Sequence, residues 1–346
     1  METNQSSGCC CSNADLSSPC NCGIQTVDST ITFADHVDHL LARWGVNRMG
    51  HLVKPGLYQM GTPTTDSPVF ASANYTLSFD ALRSALEGFD AYILVLDTKG
   101  INVWCAAGKG TFGTDEIVHR IENTGIGNIV THRKIIVPQL GAPGISAHEV
   151  HRQSGFRVEY GPVRAKDLPE YIRTGKATPE MRRVQFPIYD RLILSPMEFV
   201  HIAFPAIIIT IILWFLAGMG AALAAVIGVL GGTVLFPVLL PFIPTKDFST
   251  KGFILGILVA IPFSITFSSS PGLPGWAGIA GAALPLLIIP AVIAYLGLNF
   301  TGSTTFTSRT GVKKEIFRYV PVMVVMAVLG VVLGIVLGLS RFTGMI

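Results

Sequence analysis

The 346-residue chain is 50% hydrophobic and only 14% charged, with a net charge of +3 and a mean hydropathy of +0.52. Soluble globular chains carry about 25% charged residues, so a protein solvated by water over its whole length is excluded. The deficit is local: from Phe199 onward there are seven Lys/Arg and two acids, leaving 18 of the 25 bases and 20 of the 22 acids to the first 198 residues. Two regions in two solvents are expected.

Residues 1–23 form a polar Ser/Asn-rich tail, expected to be disordered, with Cys9, Cys10, Cys11, Cys20 and Cys22. The spacing matches neither a zinc ribbon nor an iron–sulfur run. In a cytoplasmic setting these thiols stay reduced. Two readings stand open for them: no fixed partner, or capture of a soft metal ion by thiolates. No apolar stretch of signal-peptide type precedes residue 30.

Residues 24–195 read as one α/β domain. Asp35–Trp44 has helical spacing, with Val37, Leu40 and Leu41 on one face. Pro55–Ser78, rich in Pro, Gly, Thr and Asn, reads as loops with short extended pieces, and Phe79–Glu87 as helix. Ala91–Leu96 is a continuous apolar run of the kind a strand buried on both faces shows. After the turn Asp97–Gly100, Ile101–Ala107 reads as another extended run. Thr114–Asn123 is a helix with acids in its first turn, which suits the helix dipole. Lys134–Val137 and Phe156–Tyr160 read as strands flanking a helix near Ser146–Gln153. This alternation predicts a mostly parallel, Rossmann-like sheet. Ligands bind such sheets at the carboxyl ends of strands, here the loops Trp104–Gly113, Pro138–Gly144 and Gly161–Lys166. From that topology Gln139, Leu140, Gly141, Ala142, Gly161 and Pro162 are candidate cofactor contacts.

Residues 196–346 read as an all-α transmembrane domain of about five helices, with apolar runs near 199–217, 219–243, 252–270, 276–298 and 319–339. Each approaches the ~20 residues that cross a bilayer. Loops bearing Arg182, Arg183 and Arg191, then Lys246 and Lys251, then Arg309, Lys313, Lys314 and Arg318 alternate with uncharged ones. By the positive-inside rule the N-terminal half is cytoplasmic and the C-terminus outside an inner membrane crossed several times. Ionisable residues that would mark an ion pathway are not evident in the runs, which favours anchoring over transport. His201 reads as interfacial.

The one cysteine outside the tail, Cys105, lies in Asn102-Val-Trp-Cys-Ala-Ala-Gly-Lys109. A phosphate loop fails here, because Val103 stands where its first glycine belongs and Gly110 follows Lys109. No nucleic-acid partner is expected. On composition alone such a cysteine reads most often as a buried structural thiol.

The eight-residue segment resembles the signature of the mercury-methylating corrinoid protein family, membrane proteins that work with a small ferredoxin. Pro55-Gly-Leu-Tyr58, Ala73-Asn74-Tyr-Thr-Leu-Ser-Phe-Asp80 and Leu94-Val-Leu-Asp-Thr-Lys-Gly-Ile101 agree with it. They also resemble the corrinoid domain of the corrinoid iron–sulfur protein large subunit. The resemblance covers roughly residues 45–170. It implies a Rossmann-type domain holding a cobalamin-like corrinoid, with Asn102–Lys109 as a helix capping the lower face of the ring and Asn74 among the contacts. Cys105 is implied as the lower axial cobalt ligand. A soft, electron-rich thiolate there favours release of a methyl carbanion equivalent, the form that Hg(II) accepts. Ala106, Ala107 and Gly108 would permit close approach, Asn102 and Lys109 would fix the segment or touch the cofactor, and Val103 belongs to the same segment. Trp104 reads either as core packing or as stacking near the ring.

The function implied is a membrane-anchored corrinoid methyltransferase. It would take a methyl group from a methyl-tetrahydrofolate-linked donor system and pass it to Hg(II), with electrons from a ferredoxin carrying iron–sulfur clusters. The rivals are a corrinoid methyl carrier for another acceptor and a membrane transporter with a cytoplasmic sensory domain.

Overall fold

A computed structural model describes residues 23–269, 273–304 and 309–345. Cys9, Cys10, Cys11, Cys20 and Cys22 lie outside the described residues, and with them both readings of the tail. The chain divides into two compact units, one ending at Val184 and the other comprising Gln185–Ile346 together with Arg43–Gly45.

The first unit runs β1 (Gln25–Thr26), α1 (Phe33–Arg43), β2 (Gly56–Met60), β3 (Val69–Ala73), α2 (Thr76–Ala85), β4 (Ala91–Leu96) and α3 (Val103–Lys109). It continues with α4 (Thr114–Thr124), β5 (Lys134–Val137), α5 (Ala147–Ser154), β6 (Arg157–Tyr160) and α6 (Leu168–Thr174). The strands form one sheet in the order β1-β2-β4-β3-β5-β6. Neighbours are parallel except β2, which runs antiparallel to β4. The sheet is therefore mixed, with the parallel part that the βα alternation predicts.

Side chains alternate across β4, and each parity belongs to a different core. Leu94 and Leu96 pack with Ala106, Ile117, Ile121 and Val150 from α3, α4 and α5. Ile93 and Val95 pack with Phe70, Phe79, Leu82 and Tyr171, the last three from α2 and α6. Helices thus cover both faces, which is why β4 is apolar without interruption.

One local expectation is refined and one overturned. The short extended pieces expected in Pro55–Ser78 are two five-residue strands, and β3 is buried along its whole length in the middle of the sheet. Its Ala71, Ser72 and Ala73 supply little hydropathy, so a buried strand of small residues looks like loop. The extended run expected over Ile101–Ala107 is the helix α3, as the resemblance implied. α1 forms where expected, yet Val37, Leu40 and Leu41 are 39%, 55% and 39% exposed.

The second unit runs α7 (Ile188–Leu192), α8 (Ser195–Ala217), α9 (Met219–Leu230), a π turn at Gly231–Leu235 and α10 (Phe236–Leu239). It ends with α11 (Phe248–Ser268), α12 (Gly275–Asn299) and α13 (Arg309–Phe342). Among the described residues, five stretches are long and apolar enough to cross a membrane: Ile188–Ala217, Met219–Leu239, Phe248–Ser268, Gly275–Gly302 and Thr310–Phe342. Close approach of α11 to α12 depends on two glycines one turn apart. A β-carbon on Gly252 would lie 2.4 Å from the Cα of Ala294, and one on Gly256 would lie 2.3 Å from the Cα of Pro290. Small residues spaced this way let membrane helices meet backbone to backbone.

The helices of the first, third and fifth runs begin earlier than the apolar runs and take in charged residues. Lys251, in the first turns of α11, is buried and donates to the carbonyls of Leu240 (2.8 Å) and Ile243 (2.5 Å). Glu315 of α13 is buried and accepts from the backbone N–H and the hydroxyl of Ser249, at 3.0 and 3.1 Å.

Candidate functional site

The site begins with the short helix α3. Asn102 precedes it in extended conformation, and its side-chain oxygen accepts the backbone N–H of Cys105 at 2.9 Å. This N-cap satisfies a donor that the first turn would leave bare. Gly110 stops the helix at φ 85°, a left-handed conformation that glycine adopts without strain. Within the helix Val103, Ala106 and Ala107 are buried against the sheet, while Asn102, Cys105, Gly108 and Lys109 are exposed.

The structure thus sorts the motif into two faces. The expectation that Ala106 and Ala107 open a path to a ligand is not met, because both are core residues of the protein. What Ala107 admits is the loop after β5: a β-carbon on Gly144 would stand 3.0 Å from the Cα of Ala107 and 2.2 Å from the carbonyl oxygen of Phe112. Gly141 closes over the buried Phe112 ring in the same way, with a β-carbon 2.5 Å from Cε1. The reading of Cys105 as a buried structural thiol also fails. Its sulfur is a free thiol on the exposed face.

Beside α3 lies a cleft of about 290 Å³. Its walls come from β3 (Phe70, Ala71, Ser72), the start of α3 (Asn102, Val103, Trp104), the end of β5 and its loop (Ile136, Pro138, Leu140) and the loop after β6 (Gly161, Pro162). β3 and β5 are parallel neighbours, but the chain leaves them toward opposite faces. After β3 it enters α2 on one core, and after β5 it enters α5 on the other. Such a switch point opens a crevice at the carboxyl ends of the strands. Trp104 is half-buried in this wall, so it serves neither the core alone nor solvent.

Of the residues expected from the sequence, the cleft brings together Asn102, Val103, Trp104, Leu140, Gly161 and Pro162. Cys105, Gly108 and Lys109 lie on the exposed face of the adjoining helix. Gln139 opens the 3₁₀ turn Gln139–Gly141 after β5 and Ala142 follows it; the Gln139 side-chain oxygen accepts from Arg182 at 3.0 Å. Asn74 is a brace. Its buried side-chain oxygen accepts from the N–H of Thr98 (3.0 Å), the Thr98 hydroxyl (2.8 Å) and the N–H of Gly100 (3.1 Å). It fixes the turn between β4 and α3, and so the place where α3 starts. Ser72, Ser78, Leu82, Ala165 and Leu168 also line the cleft and carry no sequence signal of their own.

The residues fit a flat, soft-metal macrocycle. The exposed face of α3 offers a thiol with Gly108 and the flexible Lys109 one turn beyond it, and a largely apolar cleft adjoins. Thiolate is the donor a soft or redox-active metal prefers. Among the described residues no cluster of three or more His, Cys, Asp or Glu is grouped to hold a bare metal ion.

Comparison with known proteins supports this part of the chain. Residues 47–171 match the family model of the CO dehydrogenase/acetyl-CoA synthase delta subunit. The acetyl-CoA decarbonylase/synthase complex subunit gamma of Methanopyrus kandleri is 33% identical over 122 residues, 35% of this chain and 26% of that protein. The same subunit of Methanothermobacter thermautotrophicus is 32% identical over 127 residues, 36% of this chain and 27% of the relative. That of Archaeoglobus fulgidus is 33% identical over 113 residues, 32% of this chain and 24% of the relative. The chain spans about a quarter of the length of these curated relatives. The matches uphold the corrinoid-protein resemblance of residues 47–171 and carry nothing about mercury.

Proposed function

We propose that the chain is a membrane-anchored corrinoid protein that transfers a methyl group, with Hg(II) as its acceptor. The observation that carries the reading is the exposed Cys105 thiol on a capped helix, beside a cleft at the switch point of the sheet. The corrinoid, when bound, supplies the metal that holds and releases the methyl group. Cys105 would hold that metal through its thiolate sulfur. Asn102 positions that thiol by holding the first turn of α3, and Gly108 leaves room beside it. Trp104, Leu140, Gly161 and Pro162 shield the adjoining cleft from water. Asn74 acts at one remove, through the turn that starts α3. Gln139, Gly141 and Ala142 shape the neighbouring loop, with Ala106 and Ala107 beneath it.

A methyl-tetrahydrofolate-linked donor system and a small iron–sulfur ferredoxin are the proposed partners. The five membrane-length helices are proposed to anchor residues 24–195 on the cytoplasmic side of the inner membrane, with residues 196–346 as the lipid-embedded domain. The acetyl-CoA decarbonylase/synthase relatives favour a second reading, in which the same site carries methyl groups for another acceptor in one-carbon metabolism.

The deciding experiment is the visible spectrum of the full chain in detergent, reconstituted with cobalamin, beside Cys105→Ala. Bound cobalamin whose bands shift on losing the thiol supports the assignment; an identical spectrum removes the ligand role. Methyl transfer from the methylated protein to Hg(II), compared with other thiophilic acceptors, separates the two readings. A folded chain that binds no cobalamin overturns both.

A further inference from the structure

In the helical unit, Arg191 of α7 is only 5% exposed and no carboxylate reaches its guanidinium. One arm, Nη1, donates to the carbonyls of Pro237 and Val238, which the end of α10 leaves without helical partners. The ring of Phe242 lies 5.9 Å from the guanidinium carbon. The buried Nε has no partner among the described residues. Four residues on, the Ser195 hydroxyl is also buried (6% exposed) and also unpartnered. Both residues belong to the stretch Ile188–Ala217, where a spacing of four puts them on one helical face.

A buried guanidinium with its Nε bare, and a bare hydroxyl one turn away, is an unfinished arrangement. Buried charges are paired, and buried polar groups are hydrogen-bonded. Lys251 shows the finished counterpart in the same unit, since carbonyls of the segment after α10 take up its ammonium. What Arg191 and Ser195 lack is an acceptor carrying negative charge and several oxygens. A guanidinium fork matches a phosphate in shape and charge. The pair stands near the polar end of the first membrane-length stretch, flanked by the exposed Ile188, Tyr189 and Leu192.

We infer that Arg191 and Ser195 form a phosphate-binding site, filled by the headgroup of an anionic lipid at the membrane surface. The ligand oxygens accept from Nε and Nη2 of Arg191 and from the Ser195 hydroxyl. This site is independent of the corrinoid reading.

The test is native mass spectrometry of the delipidated full chain in detergent, titrated with phosphatidylglycerol, with diacylglycerol of the same acyl chains, and with inorganic phosphate. Wild type is expected to hold one phosphatidylglycerol and no stoichiometric diacylglycerol. Arg191→Met should weaken that binding about tenfold or more, the range of a charged hydrogen bond, and Ser195→Ala by a smaller factor. Arg191→Lys should fall between them, keeping the charge without the fork. Inorganic phosphate that binds wild type but not Arg191→Met, with no advantage of phosphatidylglycerol over diacylglycerol, would support the phosphate site and overturn its lipid occupancy. Equal retention of every ligand by wild type and Ser195→Ala would overturn the site even if Arg191→Met failed to fold.

Discussion

The side chain of Asn102 and the backbone of Cys105 are joined by a 2.9 Å hydrogen bond that starts the helix presenting the thiol. Removing it in Asn102→Ala should cost about 0.5–2 kcal/mol, the usual range for an N-cap, and should loosen cobalamin binding with the thiol still present. Asn102→Asp keeps an oxygen in place and should restore most of both. Thermal unfolding and cobalamin titration of the three proteins measure the two effects.

Cys105→Ala should behave in the opposite way. The thiol is exposed and free, so the change should move stability by no more than about 0.5 kcal/mol while altering the spectrum of bound cobalamin. A large fall in melting temperature would give the residue a structural role instead.

Gly144→Ala places a methyl group 2.2 Å from the Phe112 carbonyl oxygen and 3.0 Å from the Cα of Ala107. Backbone on both sides leaves no side chain to swing away, so a loss of about 1–3 kcal/mol is expected. The loop after β5 should lift from α3, and cobalamin binding should weaken with stability. Denaturant unfolding read alongside cofactor affinity checks the coupling.

His51 makes the α/β unit sensitive to pH. Burial opposes its charged form, but the Val46 carbonyl and the Asp38 carboxylate, each 2.7 Å from a ring nitrogen, outweigh this and raise its pKa above the ordinary histidine value. A pKa raised by folding gives stability that is complete below the unfolded value of about 6.5 and is lost as pH rises through the folded one. The melting temperature of the unit should therefore fall between mildly acidic and mildly alkaline pH, and His51→Gln should flatten that slope. A slope unchanged in the variant would rule out His51 as its source.

In the helical unit, Gly256→Leu should drive α11 and α12 apart, because a β-carbon already meets the Cα of Pro290 at 2.3 Å. Thermal stability of the detergent-solubilised chain should drop by about 3 kcal/mol or more, beyond the usual range for overpacking.

Much of this architecture was legible in the residues. β4, α4 and β5 lie where apolar runs and first-turn acids put them, and five apolar runs became five membrane-length helices. β3 was hidden because Ala71, Ser72 and Ala73 are buried for their small size, which a hydropathy pattern does not register. α3 was hidden from periodicity because seven residues are too few to show a helical period; its cap at Asn102 and stop at Gly110 were the readable marks. The loops lining the cleft followed from strand order, but Ser72 and Ser78 did not. Lys251, a loop charge by its sequence, and Glu315 sit just outside the apolar runs, so hydropathy gives no sign that α11 and α13 bury them.

The outward face of α3 has a practical consequence. A thiol exposed among the described residues is open to any small alkylating reagent, so Cys105 can serve as a gauge of its own occupancy. Iodoacetamide labelling, mapped to the peptide that contains it, should be fast in the empty protein and slow wherever a ligand lies across the helix. The chain thereby reports, without a chromophore or an activity, what fraction of its molecules are loaded in a cell.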